Sequence, residues 1–306
     1  LFLVFNRPEP TAHVFAAIRD ARPARLYVAA DGPRSDRPEE SAQTERVREI
    51  AAAVDWPCEV KTLFREANLG CRIAVSRAID WFFENEPQGI ILEDDCLPHP
   101  DFFPYCDALL DRYAEDTRIG QIDGCSFAEQ IAPESYAFAR YGTVWGWATW
   151  RRAWKLCDVD VKHWPLLRTD KYAKSVFPDK AERAHRRSLG DRLYRQEIDT
   201  WDYQWGLARQ YNHMLSITPC VNLIENIGFG AEATHTTGGQ FMFPAPTSFD
   251  FAWKHPDFVC VNHDYEQLLF SIFPPRRSLT SRLKAVAKAC LPEPVVEKIK
   301  KALHRR

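Results

Sequence analysis

Paired metal-binding cysteines are missing from this 306-residue chain. Its nine cysteines are an odd number, scattered, with no C-x-x-C step and no Cys/His cluster at zinc spacing. That excludes a zinc-ribbon scaffold and a disulfide framework, and it fits a reducing, cytosolic compartment. No run of 18 apolar residues occurs, and "LFLVF" at the start is stopped by Asn6-Arg7-Pro8, so neither a spanning helix nor a signal peptide is expected. The first residue is not Met, so further residues are expected ahead of it. Internal repeats are absent. A G-x-S-x-G elbow is absent too, which argues against an α/β hydrolase. Net charge is nearly absent, at -2, so nothing draws the whole chain to nucleic acid.

Apolar residues are plentiful. They make up 45% of the chain against 27% charged, enough for a packed core. Aromatics reach 13%, with ten Trp, a residue that suits core packing and also the faces of sugars and nucleobases. The small net charge hides an asymmetry. From Arg276 to Arg306 there are ten Lys/Arg against Glu293 and Glu297, a balance of +8, which leaves about -10 for the rest.

"LFLVF" has the length and continuous apolarity of a strand buried on both faces. "ARLYVAADG", "CEVKTLF" and "GIILEDD" read as three more strands. Helical patterns separate them, including "GCRIAVSRAIDWFFEN" with Ile73, Ala74, Ala78, Ile79 and Phe82 on one face. Strands alternating with helices predict βαβ crossovers and an α/β fold with a mostly parallel central sheet. After about residue 120 the alternation weakens into "YGTVWGWATWRRAW", charged helical stretches, and the loop "GFGAEATHTTGG". Residues 1–250 are expected to form one domain, 251–275 a linker or extension, and 276–306 a basic amphipathic tail.

In an open parallel sheet, ligands bind beyond the carboxyl ends of the strands. Asp31 and the run Glu93-Asp94-Asp95 fall at such ends. Three adjacent carboxylates repel one another. A hard divalent cation, Mn²⁺ or Mg²⁺, would relieve that and could share its open positions with a nucleotide diphosphate. A solvated acidic turn is the plainer alternative. "GFGAEA" fits a dinucleotide pattern but lacks the following helix, and "DVD" at Asp158–Asp160 reads as a solvated turn.

The segment "IILEDDCLPHPDFFPYCDALL" resembles the metal-binding motif of GT-A nucleotide-diphospho-sugar transferases. It is most similar to the N-acetylglucosaminyltransferase I-like and family 2-like groups, and to bacterial proteins labelled hemolytic protein HlpA-like. The resemblance spans roughly residues 1–245. It implies a GT-A fold and a metal-dependent, inverting sugar transfer from a nucleotide-diphosphate donor, UDP-sugar favoured, to a hydroxyl acceptor. By position it implies that Asp95 ligates the metal and that Glu93 and Asp94 contact the donor. It also implies that Asn6, Arg7, Asn68 and Arg72 hold the nucleotide, with Asp31 accepting from the base. For Arg7 and Arg72 a surface ion pair is the competing reading.

Inversion needs one carboxylate to deprotonate the acceptor. "TWDYQW" offers Asp202 between two Trp at a helix start, where an apolar wall would raise its pKa. Helix capping by Thr200 or Asp202 is the alternative, and Asp199 and Glu225 are rival bases. The resemblance further suggests Trp147 beside the donor sugar, after a close approach at Gly146, and His235 as a second metal ligand. Core packing and simple hydrogen bonding stand against these two.

Two other functions remain open: a non-catalytic nucleotide-sugar-binding protein, and a sugar-1-phosphate nucleotidylyltransferase. The latter should carry a Gly-rich basic loop after the first strand, where "NRPEPT" stands. The tail places Leu279, Leu283 and Val286 on one helical face among Lys and Arg. That suits peripheral attachment to an anionic inner-membrane surface, where lipid-linked glycan acceptors reside.

Overall fold

A computed structural model describes residues 1–228 and 244–272, and of 270–272 the backbone alone. The first half alternates as expected: β1 (Phe2–Val4), α1 (Pro8–Ala21), β2 (Arg25–Ala30), α2 (Glu40–Ala52), β3 (Glu59–Phe64), α3 (Gly70–Asn85) and β4 (Gln88–Glu93). Then come β5 (Cys96–Pro98), α4 (Phe102–Arg112), β6 (Ile119–Asp123), β7 (Tyr136–Ala139), β8 (Trp147–Trp150) and α5 (Arg151–Trp154). A helical stretch follows: α6 (Trp164–Leu167), α7 (Asp170–Val176), α8 (Lys180–Tyr194) and α9 (Asp202–Tyr211). Last are β9 (Leu215–Pro219), β10 (Ile224–Asn226) and α10 (His263–Ile272).

Eight strands form one sheet in the order β3-β2-β1-β4-β8-β6-β9-β7. The β3-β2-β1-β4 half is parallel throughout. In the other half β8 runs antiparallel to both β4 and β6, β6 and β9 are parallel, and β7 is antiparallel to β9. The chain is thus an α/β protein with helices on both faces of a mixed sheet. The expected alternation faded after residue 120 because β8 and β7 enter the sheet without crossover helices.

Strand alternation divides the core. Phe2, Val4, Leu26, Val28, Ala30 and Leu92 pack on one face with residues of α1, α2 and α4. Leu3, Tyr27, Ala29 and Ile91 pack on the other with α3, Trp147, Trp154, Trp201 and Trp205. Burial on both faces explains why β1, β2 and β4 read as apolar runs. The same parity turns Glu93, paired in register with Leu3, toward the face of α3 and α9.

Residues 251–272, expected as a linker or extension, pack on the domain. Val261 bridges to Phe138, and Tyr265 and Leu269 are buried beside Ala139. Arg140 forks onto the carboxylate of Glu266, itself buried. The tail 276–306 lies outside the described residues, and among those described no helix is long and apolar enough to cross a membrane. All eight described cysteines are free thiols.

Candidate active site

A cavity of about 410 Å³ opens beyond the carboxyl ends of β1 to β4. Asn6, Arg7, Asp31, Asn68, Glu93, Asp94, Asp95 and Asp202 all line it. The sequence places these residues over nearly 200 positions, and the sheet gathers them into one wall.

Arg7 is set by the chain around it. It precedes Pro8, which disfavours helical geometry for Arg7 and itself suits the first helical position of α1. The Arg7 carbonyl accepts from the Thr11 amide at 3.1 Å and from its hydroxyl at 2.6 Å. The guanidinium then reaches β4: Nη2 pairs with Asp94 Oδ1, and Nη1 with Asp95 Oδ2 at 3.0 Å. Burial works against the Arg7 charge, but the two carboxylates outweigh it and hold its pKa above the ordinary value.

One guanidinium does not balance the acids present. The Glu93 carboxyl makes no hydrogen bond or ion pair among the described residues. Burial first, then the charges of Asp95, Asp94 and Asp202, push its carboxyl well above the usual range. Asp94 is raised as well, by burial, against the pull of Arg7. The cavity floor therefore gathers more carboxyl groups than its one guanidinium can pair. Among the described residues no group of three or more His, Cys, Asp or Glu could hold a metal by itself. A hard cation commonly takes one or two carboxylates and completes its shell from water and phosphate. The oxygen donors here fit that kind of ion, with Asp95 and Glu93 at the cavity. His235 lies outside the described residues.

The antiparallel pair β5–β10 closes this corner, with the Ile227 amide donating to the Asp95 carbonyl at 2.8 Å. Gly228 follows. A Cβ there would meet the Asp95 carboxylate and come to 3.0 Å from Arg7 Nη1, so a larger residue would have to displace this ion pair.

Asp31 sits at the end of β2, but its acceptors are already used. Oδ1 takes the amides of Gly32 and Leu69, and Oδ2 those of Leu69 and Gly70, all between 3.0 and 3.2 Å. Asn68 is likewise engaged, with Gly32 O and the Gly70 amide. Both residues thus build the turn into α3 at the wall of the cavity, and Asn68 keeps a second amide N–H beyond these bonds. Asn6 donates to Glu40, which also receives a fork from Arg34.

Arg72 departs from its expected role. Its guanidinium pairs with Asp160 at 3.0 Å, and the side chain does not line the cavity. The surface ion-pair reading holds for Arg72, and it uses one acid of the "DVD" turn. Trp147 departs too. It is fully buried at the start of β8 and packs among Trp154, Trp201 and Trp205. Trp145, two residues earlier, lines the cavity instead. Between them Gly146 has φ +58, a left-handed geometry glycine adopts freely, and a Cβ there would collide with Ile224.

Of the candidate bases, Glu225 is exposed in β10 and away from the cavity. Asp199 lines the cavity, but its carboxylate accepts the Cys71 and Arg72 amides at 3.0 Å each and caps α3 from across the chain. Asp202 makes no side-chain cap of α9, whose N-cap is Trp201. Its Oδ1 accepts from the Thr200 hydroxyl, and among the described residues no hydrogen bond engages Oδ2. Four stacked or tilted indoles anchor this turn, and Trp205 Nε1 donates to Gln121 Oε1 at 2.6 Å.

One residue escaped the sequence reading. Arg65 follows β3, lines the cavity, and makes no hydrogen bond or ion pair through its guanidinium among the described residues; it feels the charge of Asp31. Burial lowers its pKa. Its position at a strand end was the available signal.

No protein-family model and no curated protein matches the chain. Similar solved structures include HddC from Yersinia pseudotuberculosis, at 8% identity and TM-score 0.32, over 49% of this chain and 76% of that one. Another is galactosyltransferase LgtC in complex with donor and acceptor sugar analogs, at 12% identity and TM-score 0.34, over 71% and 73%. A third is UDP-glucose pyrophosphorylase complexed with UDP-glucose, at 9% and 0.35, over 71% and 89%. These are partial likenesses of fold, and the functional reading stands on the site's own residues.

Proposed function

We propose that this protein is a glycosyltransferase that moves a sugar from a nucleoside-diphosphate donor, UDP favoured, to a hydroxyl acceptor with inversion at the anomeric carbon. The observation that carries this reading is one cavity holding both an acid-rich cluster, Arg7 with Glu93, Asp94 and Asp95, and a separate carboxylate, Asp202, with one oxygen unengaged among the described residues. A cation-binding corner and a distinct base are the two functions an inverting transfer needs.

The strand order supports an extended donor. From Arg65 at β3 to the acids at β4 is three strand spacings, roughly 14 Å. Arg65 lies at the end suited to the nucleotide's acceptor groups, and Arg7 at the diphosphate. Mn²⁺ or Mg²⁺ at Asp95, when bound, would offset the charge of the leaving diphosphate. Asp202 takes the proton of the acceptor hydroxyl as that oxygen attacks the anomeric carbon. Trp145 supplies an aromatic wall to the cavity.

The proposed acceptor is a cell-surface glycan or lipid-linked sugar, met through the basic tail at an anionic membrane surface. Unchanged recovery in the membrane fraction after deletion of 276–306 would end that part of the proposal. The transfer itself is tested by incubating the protein with a panel of nucleotide sugars and hydroxyl acceptors and measuring released nucleoside diphosphate. Release by wild type but not by Asp202→Asn, with an inverted anomer by NMR, is expected. Consumption of a nucleoside triphosphate with a sugar phosphate would point instead to a nucleotidylyltransferase.

A further inference from the structure

Arg7 occupies the place where a cation would be wanted. Its two guanidinium nitrogens span two carboxylates of different depth. The Asp94 side chain is 5% exposed and also takes the Phe5 amide at 3.4 Å, whereas Asp95 is 17% exposed and faces the cavity. The inner contact belongs to the framework, while the outer one competes with anything that seeks Asp95.

We propose that Arg7 is a resident counter-cation: it closes the acidic cluster to a free divalent ion and hands Asp95 over only when a diphosphate arrives to take the guanidinium. This rests on the transferase reading above. A fixed positive charge beside Asp95 repels a dication, and its Nη1 already fills one Asp95 oxygen. A diphosphate offers the planar guanidinium new acceptors, which suit its fork. Metal and nucleotide therefore help one another to bind, by the same factor in each direction.

Arg7→Lys keeps a charge beside buried Asp94 but replaces the rigid fork with a single point of charge, which loosens the hold on Asp95. Arg7→Met removes the charge outright and is read alongside, with thermal unfolding of each variant as the folding control. The probe is Mn²⁺ alone, followed by loss of the free-ion EPR signal, then Mn²⁺ with UDP or GDP. Wild type is expected to bind Mn²⁺ alone weakly and Mn²⁺ with nucleotide tightly. Arg7→Met is expected to bind Mn²⁺ alone roughly tenfold more tightly or better, and Arg7→Lys, which keeps the charge but loses the fork, more tightly by a smaller factor, with the mutual enhancement by nucleotide reduced in both. If neither folded variant binds Mn²⁺ alone more tightly than wild type, while wild type binds Mn²⁺ with nucleotide, the counter-cation role is wrong and the transferase reading survives. If wild type binds neither nucleotide with Mn²⁺, both fall.

Discussion

The indole rings of Trp147 and Trp201 stack 5.7 Å apart with 24° between their planes. This contact ties β8 to the N-cap of α9, one position before Asp202. Trp147 therefore acts on the candidate base through packing. Trp147→Ala should cost about 3–5 kcal/mol of stability, as large buried aromatics do. Trp147→Phe should retain most of it. Urea unfolding midpoints measure both. An alanine variant as stable as wild type would show that the cluster does not hold this turn.

Asp199 and Asp202 lie three residues apart and should fail differently. Asp199→Ala removes the carboxylate that accepts the Cys71 and Arg72 amides, so it should lose about 1 kcal/mol of stability. Asp202→Asn should leave the unfolding midpoint nearly unchanged and lower kcat by about 10²–10⁴ at similar donor KM. If Asp199→Ala abolishes turnover and Asp202→Asn does not, the roles are exchanged.

The acidic motif was legible in the sequence because an apolar strand led straight into it, and a strand end in an α/β fold is where ligands gather. Strands β1, β2 and β4 were legible for the same reason: burial on both faces leaves continuous apolar runs. What the sequence could not give were partners far along the chain. Arg72 meets Asp160, and Asp199 caps α3 from more than 120 residues away. The Trp145-Gly146-Trp147 step has a Trp on each side of a left-handed glycine, and only the fold decides which one faces the cavity.

Arg65 should matter to nucleotide binding and little to stability, since it makes no ion pair among the described residues. Arg65→Ala should weaken nucleotide affinity roughly tenfold, the worth of one charge-assisted hydrogen bond, with an unchanged thermal midpoint. Unaltered affinity would remove Arg65 from the site.

Asp123 is buried under α9. Burial pushes its carboxyl up to about 7, against the charge of Arg209 and hydrogen bonds from Gln121 and Thr218. Its folded pKa lies above the unfolded value near 3.8, so its contribution is fully present below that value and is lost as pH rises through 7. Wild-type stability should therefore fall between pH 4 and pH 8, by at most about 4 kcal/mol from this group. Asp123→Asn should show a shallower slope, whatever its absolute stability. Equal slopes in urea titrations at several pH values would contradict this.

The most direct measurement is calorimetry of UDP and GDP binding, with and without Mn²⁺, on wild type and Asp95→Ala. The expected result is Mn²⁺-dependent binding of one nucleotide, lost in Asp95→Ala, which places the diphosphate at the acidic cluster and names the base. Tight binding indifferent to both the ion and the substitution would put the nucleotide elsewhere and contradict the assignment of this cavity.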